Sequence, residues 1–589
     1  MLCIAFIVQR TEIDIMYTQT LMKKITSLLF FGQCLVLCSV NSVMASDLFN
    51  QPEQISRQKV LRGSITPERA WWDLSHYHLD IKVDPKTKRI SGTNTMKYRV
   101  LSKQTRLQIE LQAPMQLDKV LQNNQPLRVE QDGYSYFISP KATQEIGSSH
   151  RLTMYFSGQP TAAKRAPWDG GITWTTDDNG VDFIASANQG IGASIWWPNK
   201  DHGYDEPDNG VLISVEVPEH LVNVSNGRLI QTEHNKDSHT KTYHWQVTNP
   251  INNYGVNINI ADYVHFGEQY QGEKGLLDID YWVLKDNEEK AKKHFKEGRR
   301  TIEALEYWFG PYPFYEDSYK LVEAPYLGME HQSSVTYGNG YQNGYLGQDR
   351  SSAGPGLLFD FIIVHETGHE WFANSITAED IADLWIHESF TSYSESLFLE
   401  YHFDQQTAYK YVRGQRQKIQ NKTPIIGHYN IHSEGSSDMY DKGANMLHTL
   451  RQIVDNDRLW REILRGLNQK FYHQTVTSKK IEDYINQMSG RDFSKIFDQY
   501  LRDIRVPVLE YFIKDSFLKV RWSNTIVGFD MPVRVNIGGK VTWLSPTTQW
   551  TEVSITEKNP RFTIDPNFYI SSQNTLSYLS EGNNFMTQP

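Results

Sequence analysis

The first half of the chain alternates apolar and polar residues with the period of two that is typical of β-strands. In residues 77–83, for example, every second position is apolar. The alternation recurs in runs separated by turn signals such as Asp132-Gly133 and Asn226-Gly227: residues 95–100, 107–111, 135–138, 152–156, 211–217 and 242–247. We therefore predict an N-terminal β domain over residues 46–266, which starts with a polar lead-in.

The period becomes helical near residue 286. Residues 286–309 are charged and helical in pattern, and helical patterns continue from residue 405 to about residue 500. A period of two returns after residue 506, with Gly538-Gly539 as a turn. These changes predict a multidomain α+β fold, with a middle domain over residues 267–505 and a small C-terminal β domain with a polar tail over residues 506–589.

Residues 1–45 have the composition of a leader. Met22-Lys23-Lys24 is a short basic region, residues 25–40 are apolar, and Val43-Met44-Ala45 resembles a cleavage site. This pattern predicts a cleavable signal peptide starting near Met22 and a periplasmic or secreted protein. A lipoprotein with Cys38 as the lipidated residue is the alternative, although the large Leu37 before it argues against a lipobox. The apolar run is short for a permanent membrane anchor.

Charge and cysteine content narrow the chemistry. The chain has 59 basic and 69 acidic residues and no long charge runs, which argues against nucleic acid or an anionic membrane as the main partner. Its cysteines (Cys3, Cys34 and Cys38) all lie in the predicted leader. The mature chain would therefore lack disulfides and thiolate ligands, and a metal site would have to use histidine and carboxylate.

Residues 365–369 read His-Glu-Thr-Gly-His, an H-E-x-x-H pattern. Residues four apart lie on one face of a helix, so His365 and His369 can bind one metal ion while Glu366 stands beside it as a general base. A second helix through residues 382–386 could bring Glu388 back as a third ligand. Two histidines and one carboxylate leave a fourth position open, as in catalytic zinc sites. The alternative is an amphipathic helix whose histidines happen to be four residues apart.

Other runs give the chain a resemblance to a known family. Residues 327–331 read Leu-Gly-Met-Glu-His, residues 440–443 read Tyr-Asp-Lys-Gly, and residues 309–314 read Phe-Gly-Pro-Tyr-Pro-Phe. Together with H-E-x-x-H and Glu388, in this order, they make the chain resemble the M1 family of zinc aminopeptidases across about residues 70–505. That family includes leukotriene A4 hydrolase and aminopeptidase N.

The resemblance implies a thermolysin-like zincin catalytic domain between an N-terminal β-sheet domain and a small C-terminal β-sandwich. It also implies one zinc ion per chain, held by His365, His369 and Glu388. Glu366 would be the general base, and Tyr440 would donate a hydrogen bond to the oxyanion of the tetrahedral intermediate. Without the resemblance, Tyr440 is simply a packed tyrosine at the start of a helix.

The resemblance also implies how substrate binds. Glu330 would bind the α-ammonium of a peptide with a free N-terminus, and Gly328 and Met329 would contact the substrate. Gln189 falls where relatives place Glu or Gln near the amino group. The ordinary interpretations are a solvated loop carboxylate for Glu330 and a loop amide for Gln189. The predicted function is that of a zinc-dependent aminopeptidase.

The chain departs from the family pattern at four positions: Leu327 replaces the first Gly and His331 the last Asn of one motif, and His387 and Ser389 replace Asn and Gly around Glu388. We interpret His387 as a neighbour of the site and not as a ligand. The large helical C-terminal domain of many relatives has no counterpart in the sequence, so we expect an open cleft or one closed by dimerisation. The oligomeric state is left open.

Two other functions share these residues. One is an epoxide hydrolase of the leukotriene A4 hydrolase type, which would use the same zinc ligands. The other is a catalytically silent binding or scaffold protein, which would be expected to lose Glu366, Tyr440 or a ligand, and none is missing. An endopeptidase is disfavoured, because Glu330 would stand beside an internal peptide bond with no amine to pair with.

Overall fold

The computed structural model describes residues 55–514, 516–556 and 559–576. The predicted leader, with its cysteines, its signal peptide and the lipidation alternative, lies outside these residues. Within them, no helix is both long and apolar enough to cross a membrane. Among the described residues, those from Gln58 onward form one compact unit.

The N-terminal region is built on an eight-stranded sheet of order β13-β14-β11-β1-β2-β8-β4-β5, in which β1 and β11 pair in parallel. Smaller sheets of order β12-β15-β10-β9 and β3-β7-β6 accompany it. Two short helices, α1 (Arg57–Gly63) and α2 (Pro67–Ala70), precede the strands. The strands are β1 (Trp72–Asp84), β2 (Arg89–Val100), β3 (Leu107–Glu110), β4 (Gln116–Gln122), β5 (Gln125–Pro126), β6 (Arg128–Asp132), β7 (Ser135–Ser139), β8 (Ser149–Gly158), β9 (Gly171–Thr176), β10 (Asp182–Ala187), β11 (Val211–Pro218), β12 (Val222–Val224), β13 (Arg228–Asn235), β14 (Thr240–Val247) and β15 (Asn259–Ala261).

The apolar positions of the alternating pattern are the positions that are buried in the structure. Along β1, Tyr77, Leu79, Ile81 and Val83 are all buried in the core of this region. Each run predicted as a strand between residues 95 and 247 overlaps a strand of the structure. The predicted β-rich N-terminal region is therefore confirmed.

A five-stranded sheet of order β16-β17-β18-β20-β19 opens the middle region and ends in the edge strand β19. Its strands are β16 (Tyr263–Gly272), β17 (Gly275–Leu284), β18 (Tyr319–Glu323), β19 (Gly328–Met329) and β20 (Val335–Tyr337). Helices α3 (Glu288–His294) and α4 (Lys296–Phe309) lie between β17 and β18 in the chain. Because β16 begins at Tyr263, the predicted limit at 266/267 falls inside a strand of this sheet. The domain limits themselves stay a prediction.

Helices make up most of the rest of the middle region, and α5 packs against α4 and α6. They are α5 (Phe361–Gly368), α6 (Trp385–His402), α7 (Gln405–Gly414), α8 (Asp438–Val454), α9 (Asp457–Lys470), α10 (Ser478–Ser489) and α11 (Ser494–Leu501). Strands β21 (Ile376–Ala378) and β22 (Gln474–Val476) pair in parallel between them.

The C-terminal region consists of two sheets, β27-β24-β23-β29 and β26-β25-β28. Its strands are β23 (Val508–Lys514), β24 (Phe517–Ser523), β25 (Val533–Ile537), β26 (Lys540–Leu544), β27 (Thr551–Ser554), β28 (Phe562–Ile564) and β29 (Ser571–Asn574). Buried side chains of both sheets, such as Trp522 and Val533, join the core of the helical region. The multidomain α+β fold is as predicted.

Candidate active site

Helix α5 carries the H-E-x-x-H residues through the interior. Asp360 caps its first turn, since its carboxylate accepts a hydrogen bond of 3.1 Å from the backbone N–H of Ile363. Every residue of α5 is buried, which explains its uniformly apolar first half. The helix ends at Gly368, but His369 keeps helical backbone angles (φ −65°, ψ −18°) at the C-cap. The spacing of four residues therefore still places both histidines on one side.

Glu388 lies in the first turn of α6. The sequence predicted one helix through residues 382–386, whereas the structure has a 3₁₀ turn, Ile381–Asp383, and an α-helix that begins only at Trp385. Asp380 caps the 3₁₀ turn by accepting from the N–H of Ala382 at 2.9 Å. The break redirects the chain, and α6 then points Glu388 at the two histidines.

The three predicted ligands converge. The Oε2 atom of Glu388 lies 3.3 Å from Nε2 of His369 and 3.7 Å from Nε2 of His365. Ligand atoms around a tetrahedral zinc ion with bonds of about 2.0 Å are about 3.3 Å apart. Among the described residues, this Oε2 atom is buried and has no hydrogen-bond partner. The donor set therefore fits a zinc ion.

Both histidines are oriented through their second ring nitrogen. Nδ1 of His365 is 2.8 Å from Oε1 of Glu395, and Nδ1 of His369 is 3.0 Å from the carbonyl oxygen of Phe372 and 3.1 Å from Oγ1 of Thr391. These contacts leave each Nε2 facing the site. The sequence analysis missed Glu395, although it follows Glu388 by seven residues and so lies on the same face of α6.

The site holds a surplus of negative charge. Burial lowers the pKa of His365, but Glu388 and Glu395 outweigh burial and raise that pKa to about 10. Burial likewise lowers the pKa of His369, while the charges of Glu388 and Glu330 raise it to about 9. Burial raises the pKa of Glu366 to about 7. Such a site favours a bound cation.

A second group of donor atoms, from Glu330, Glu366 and His369, lies within 4.8 Å of one another, as do the donors of the first group. The first group is the better fit for a metal ion, because both of its histidines are held by acceptors on Nδ1 and its carboxylate oxygen has no other partner among the described residues. Glu366 and Glu330 lie beside this group without belonging to it.

Gln189, from the N-terminal region, contacts two carboxylates of the middle region. Its Nε2 atom donates to Oε1 of Glu330 at 2.7 Å and to Oε1 of Glu388 at 2.8 Å. The amide thus holds two carboxylates side by side without adding charge. The cavity beside Gln189 is also lined by Tyr254, which the sequence analysis did not single out.

Gly328 and Met329 form the edge strand β19, next to α5. A Cβ atom on Gly328 would lie 2.6 Å from Cγ2 of Ile362 and 3.0 Å from Oε1 of Glu366, so glycine is what allows this close approach. Met329 is buried in a small cluster with Tyr326. The structure therefore brings the predicted substrate-binding residues to Glu366.

Tyr440 lies near the start of α8, and its ring is stacked 6.0 Å from the ring of His365 at 25°. Burial and the nearby carboxylates raise the pKa of Tyr440 well above its usual value, so its hydroxyl keeps its proton. A Cβ atom on Gly443 would lie 1.9 Å from Oγ of Ser389, so this glycine allows α8 to pack tightly on α6. All predicted site residues thus meet in one place.

Two family models match this chain. The Peptidase M1 N-terminal domain matches residues 74–254, and the Peptidase family M1 domain matches residues 294–500. Together they cover about two thirds of the sequence. The chain belongs to the M1 peptidase family.

Relatives of this M1 family member include Probable aminopeptidase 1 of Sulfurisphaera tokodaii, which is 22% identical over 360 residues covering 57% of this chain and 44% of the relative. Leucyl aminopeptidase of Saccharolobus solfataricus is 21% identical over 350 residues, covering 56% and 43%. The chain thus matches less than half the length of these relatives. Among solved structures, an M1 zinc metallopeptidase of Deinococcus radiodurans has the same fold, with a TM-score of 0.61 and 19% identity over 73% of this chain and 94% of that one.

The departures of this M1 member from the family pattern leave the ligand group intact. Nε2 of His387 accepts a hydrogen bond of 2.7 Å from the N–H of Ala378, and this nitrogen is therefore occupied. His331 is fully buried, and in the described part of the chain neither of its ring nitrogens has a hydrogen-bond partner. Burial lowers the pKa of His331 to about 3, so the ring is neutral.

Proposed function

We propose that this M1 family member is a zinc-dependent aminopeptidase that removes N-terminal residues from peptides. The observation that carries the proposal is the juxtaposition of two sets of groups. The converging atoms of His365, His369 and Glu388 lie directly beside the pair formed by Gln189 and Glu330. A hydrolytic centre next to an anionic anchor suits a substrate that ends in a free amine.

His365, His369 and Glu388 would hold one zinc ion per chain. When bound there, zinc supplies Lewis acidity for hydrolysis of the peptide bond. The protein provides the orientation of the ligands, through Glu395 behind His365 and the Phe372 carbonyl behind His369.

Glu366 serves as the general base. Its carboxylate is buried, and burial raises its pKa to about 7, close to the pH at which a base must both accept and release a proton. It accepts the proton of the attacking water and passes it to the nitrogen of the leaving amine. The close approach of Gly328 keeps the β19 edge strand, and thus the substrate, beside this carboxylate.

Tyr440 donates its hydroxyl proton in a hydrogen bond to the oxyanion of the tetrahedral intermediate. The hydroxyl is suited to this because the raised pKa of Tyr440 keeps it protonated at neutral pH. Its stacking on His365 places the ring next to the proposed ligands. No covalent bond to the protein is required.

Glu330 binds the α-ammonium of the substrate in a charge-assisted contact, with Gln189 as its neutral neighbour. An extended peptide can lie along β19, the edge of the five-stranded sheet, next to Gly328 and Met329. Peptides with a free N-terminus are therefore the proposed substrates. The predicted signal peptide supports a periplasmic or secreted location.

The test uses protein from Ser46 onward, loaded with zinc, and a panel of fluorogenic aminoacyl amides. Hydrolysis should disappear with a chelator, return with zinc, and be lost in Glu366→Gln, which keeps the ligands and removes the base. An equal loss in Glu462→Gln, an exposed glutamate paired with Arg458, would point to an artefact of preparation. Zinc bound at one ion per chain with no hydrolysis of any amide would overturn the proposal.

A further inference from the structure

The residue that follows Tyr440 in the chain is held by Arg350, which none of the roles above uses. Nη2 of Arg350 lies 3.4 Å from both carboxylate oxygens of Asp441, the residue that follows Tyr440 in the chain. Arg350 belongs to the segment between β20 and α5, far from Asp441 in sequence. The ion pair therefore ties the start of α8 to a separate part of the middle region.

The same guanidinium group also contacts the other side of the site. Its Cζ atom lies 4.8 Å above the ring of Phe361, and that ring is stacked 5.1 Å from the ring of His365 at 21°. His365 is in turn stacked on Tyr440. The contacts thus form a closed circuit that runs from Arg350 through Phe361, His365, Tyr440 and Asp441 back to Arg350.

The ion pair between Arg350 and Asp441 is largely shielded from solvent. The side chain of Arg350 is 21% exposed and that of Asp441 is 9% exposed, so the pair is less screened than a surface ion pair. A guanidinium on an aromatic face adds attraction that a lysine ammonium, without a planar group, reproduces less well. A hydroxyl that acts on a developing charge has to be held within about 0.5 Å of its working position.

The hydrogen bonds that close the loop around Arg350 are made by another side chain. The neighbouring Asp349 already closes that loop, because its carboxylate accepts from the N–H and hydroxyl of Ser351 and from the N–H groups of Gly354 and Gly356. Arg350 instead contacts Asp441 and Phe361, and its Cζ atom also lies 5.8 Å over the ring of Tyr345 in its own loop. Through Asp441 and Phe361, Arg350 is connected to the candidate active-site residues Tyr440 and His365.

We propose that Arg350 is a positioning residue, which fixes the Tyr440 ring relative to His365 by holding Asp441 on one side and Phe361 on the other. The inference rests on the proposed role of Tyr440 as the oxyanion donor. A positioning role differs from a general stabilising role in one respect. If Arg350 positions Tyr440, its effect on the reaction should require the hydroxyl of Tyr440.

The experiment is a double-mutant cycle of Arg350→Gln and Tyr440→Phe, with kcat and KM measured on one aminoacyl amide. Arg350→Gln should lower kcat about tenfold, equivalent to about 1.4 kcal/mol in the activation free energy, with KM within about twofold of wild type. In the Tyr440→Phe background the same substitution should change kcat by less than about twofold. Arg350→Lys should fall between wild type and Arg350→Gln.

Two further measurements separate positioning from loss of structure. Zinc content should stay at one ion per chain in Arg350→Gln, and hydrogen exchange should speed up in residues 438–444 but not in α5. The matched control is Arg458→Gln, which removes an exposed helical ion pair and should behave as wild type in every assay.

The inference fails if Arg350→Gln keeps wild-type kcat, if its effect is the same with and without the Tyr440 hydroxyl, or if zinc is lost. Inactive wild-type protein would instead refute the proposed function. In that case the positioning role is judged by hydrogen exchange in the Arg350→Gln variant. Exchange that is unchanged in residues 438–444 would refute the role, and faster exchange confined to these residues would support it.

Discussion

Glu395 offers the sharpest test of how the proposed site would hold zinc. Its carboxylate contacts three groups: Nδ1 of His365 at 2.8 Å, the hydroxyl of Tyr411 at 2.5 Å and Nε2 of Gln415 at 3.0 Å. Glu395→Gln keeps the shape of the side chain but replaces one acceptor oxygen with an NH₂ group. That group necessarily faces a donor, so at least one of the three contacts is lost.

The expected magnitude follows from these contacts. If the N–H of His365 loses its charged acceptor, the stabilising free energy of that hydrogen bond is lost. A hydrogen bond to a charged group usually contributes about 1.5–3 kcal/mol. This agrees with the 10- to 100-fold loss of metal affinity, or about 1.4–2.8 kcal/mol, seen when such a supporting partner of a metal ligand is removed. Zinc should therefore bind Glu395→Gln about 10- to 100-fold more weakly.

The assay is competition for zinc against a chromophoric chelator at pH 7.5, together with thermal unfolding with and without zinc. Stabilisation by saturating zinc should fall by about 1.4–2.8 kcal/mol, since ligand-linked stability follows the dissociation constant. Glu462→Gln, which alters an exposed glutamate, should retain wild-type affinity. A zinc Kd within twofold of wild type in Glu395→Gln would refute the argument that this carboxylate supports His365.

Three other substitutions test separate parts of the account. Tyr440→Phe should lower kcat about 10²- to 10³-fold with zinc retained, because it removes only the proposed donor to the oxyanion, as steady-state kinetics and metal analysis can show. Gly443→Ala should destabilise the protein by about 1–3 kcal/mol in denaturant unfolding, since its new Cβ would lie 1.9 Å from Oγ of Ser389. Gln189→Glu should lower the Tm of the metal-free protein more at pH 8 than at pH 5.5. The new carboxylate, beside Glu330, would have a raised pKa in the folded protein. Below that pKa it takes up a proton on folding and is neutral, whereas above it the charged form repels Glu330 and destabilises the folded state.

Each has an outcome that would count against it. A kcat of Tyr440→Phe within threefold of wild type would remove the hydroxyl from the mechanism. For Gly443→Ala, wild-type stability would show that α6 and α8 pack less closely than described, whereas Ser389→Gly in the same chain should recover part of the loss. An equal Tm change of Gln189→Glu at both pH values would mean that the new carboxylate does not meet the charge of Glu330.

The sequence was most informative where chemistry depends on local spacing. His365 and His369 are four residues apart, and helical geometry alone places them on one side of α5. Strand β1 was equally readable, because a half-buried strand shows its buried face as an alternation. Glu330 and Tyr440 were found through the resemblance, since nothing in their local sequence distinguishes them from ordinary loop and helix residues.

The missed features are those that depend on contacts between distant segments. Glu395 looks like any polar residue of a helix until α7 brings Tyr411 and Gln415 against it. Helix α5 is buried on every side, so its sequence shows no polar face from which its neighbours could be inferred. The hairpin of β16 and β17 alternates clearly, but periodicity does not reveal which sheet a strand joins.

The decisive comparison is between one peptide with a free N-terminus and the same peptide N-acetylated, both incubated with zinc-loaded protein. We expect cleavage of the first peptide bond of the free peptide only, because acetylation removes the α-ammonium that Glu330 is proposed to bind. Equal cleavage of both peptides, or cleavage at an internal bond, would contradict the assignment of this M1 site as an aminopeptidase.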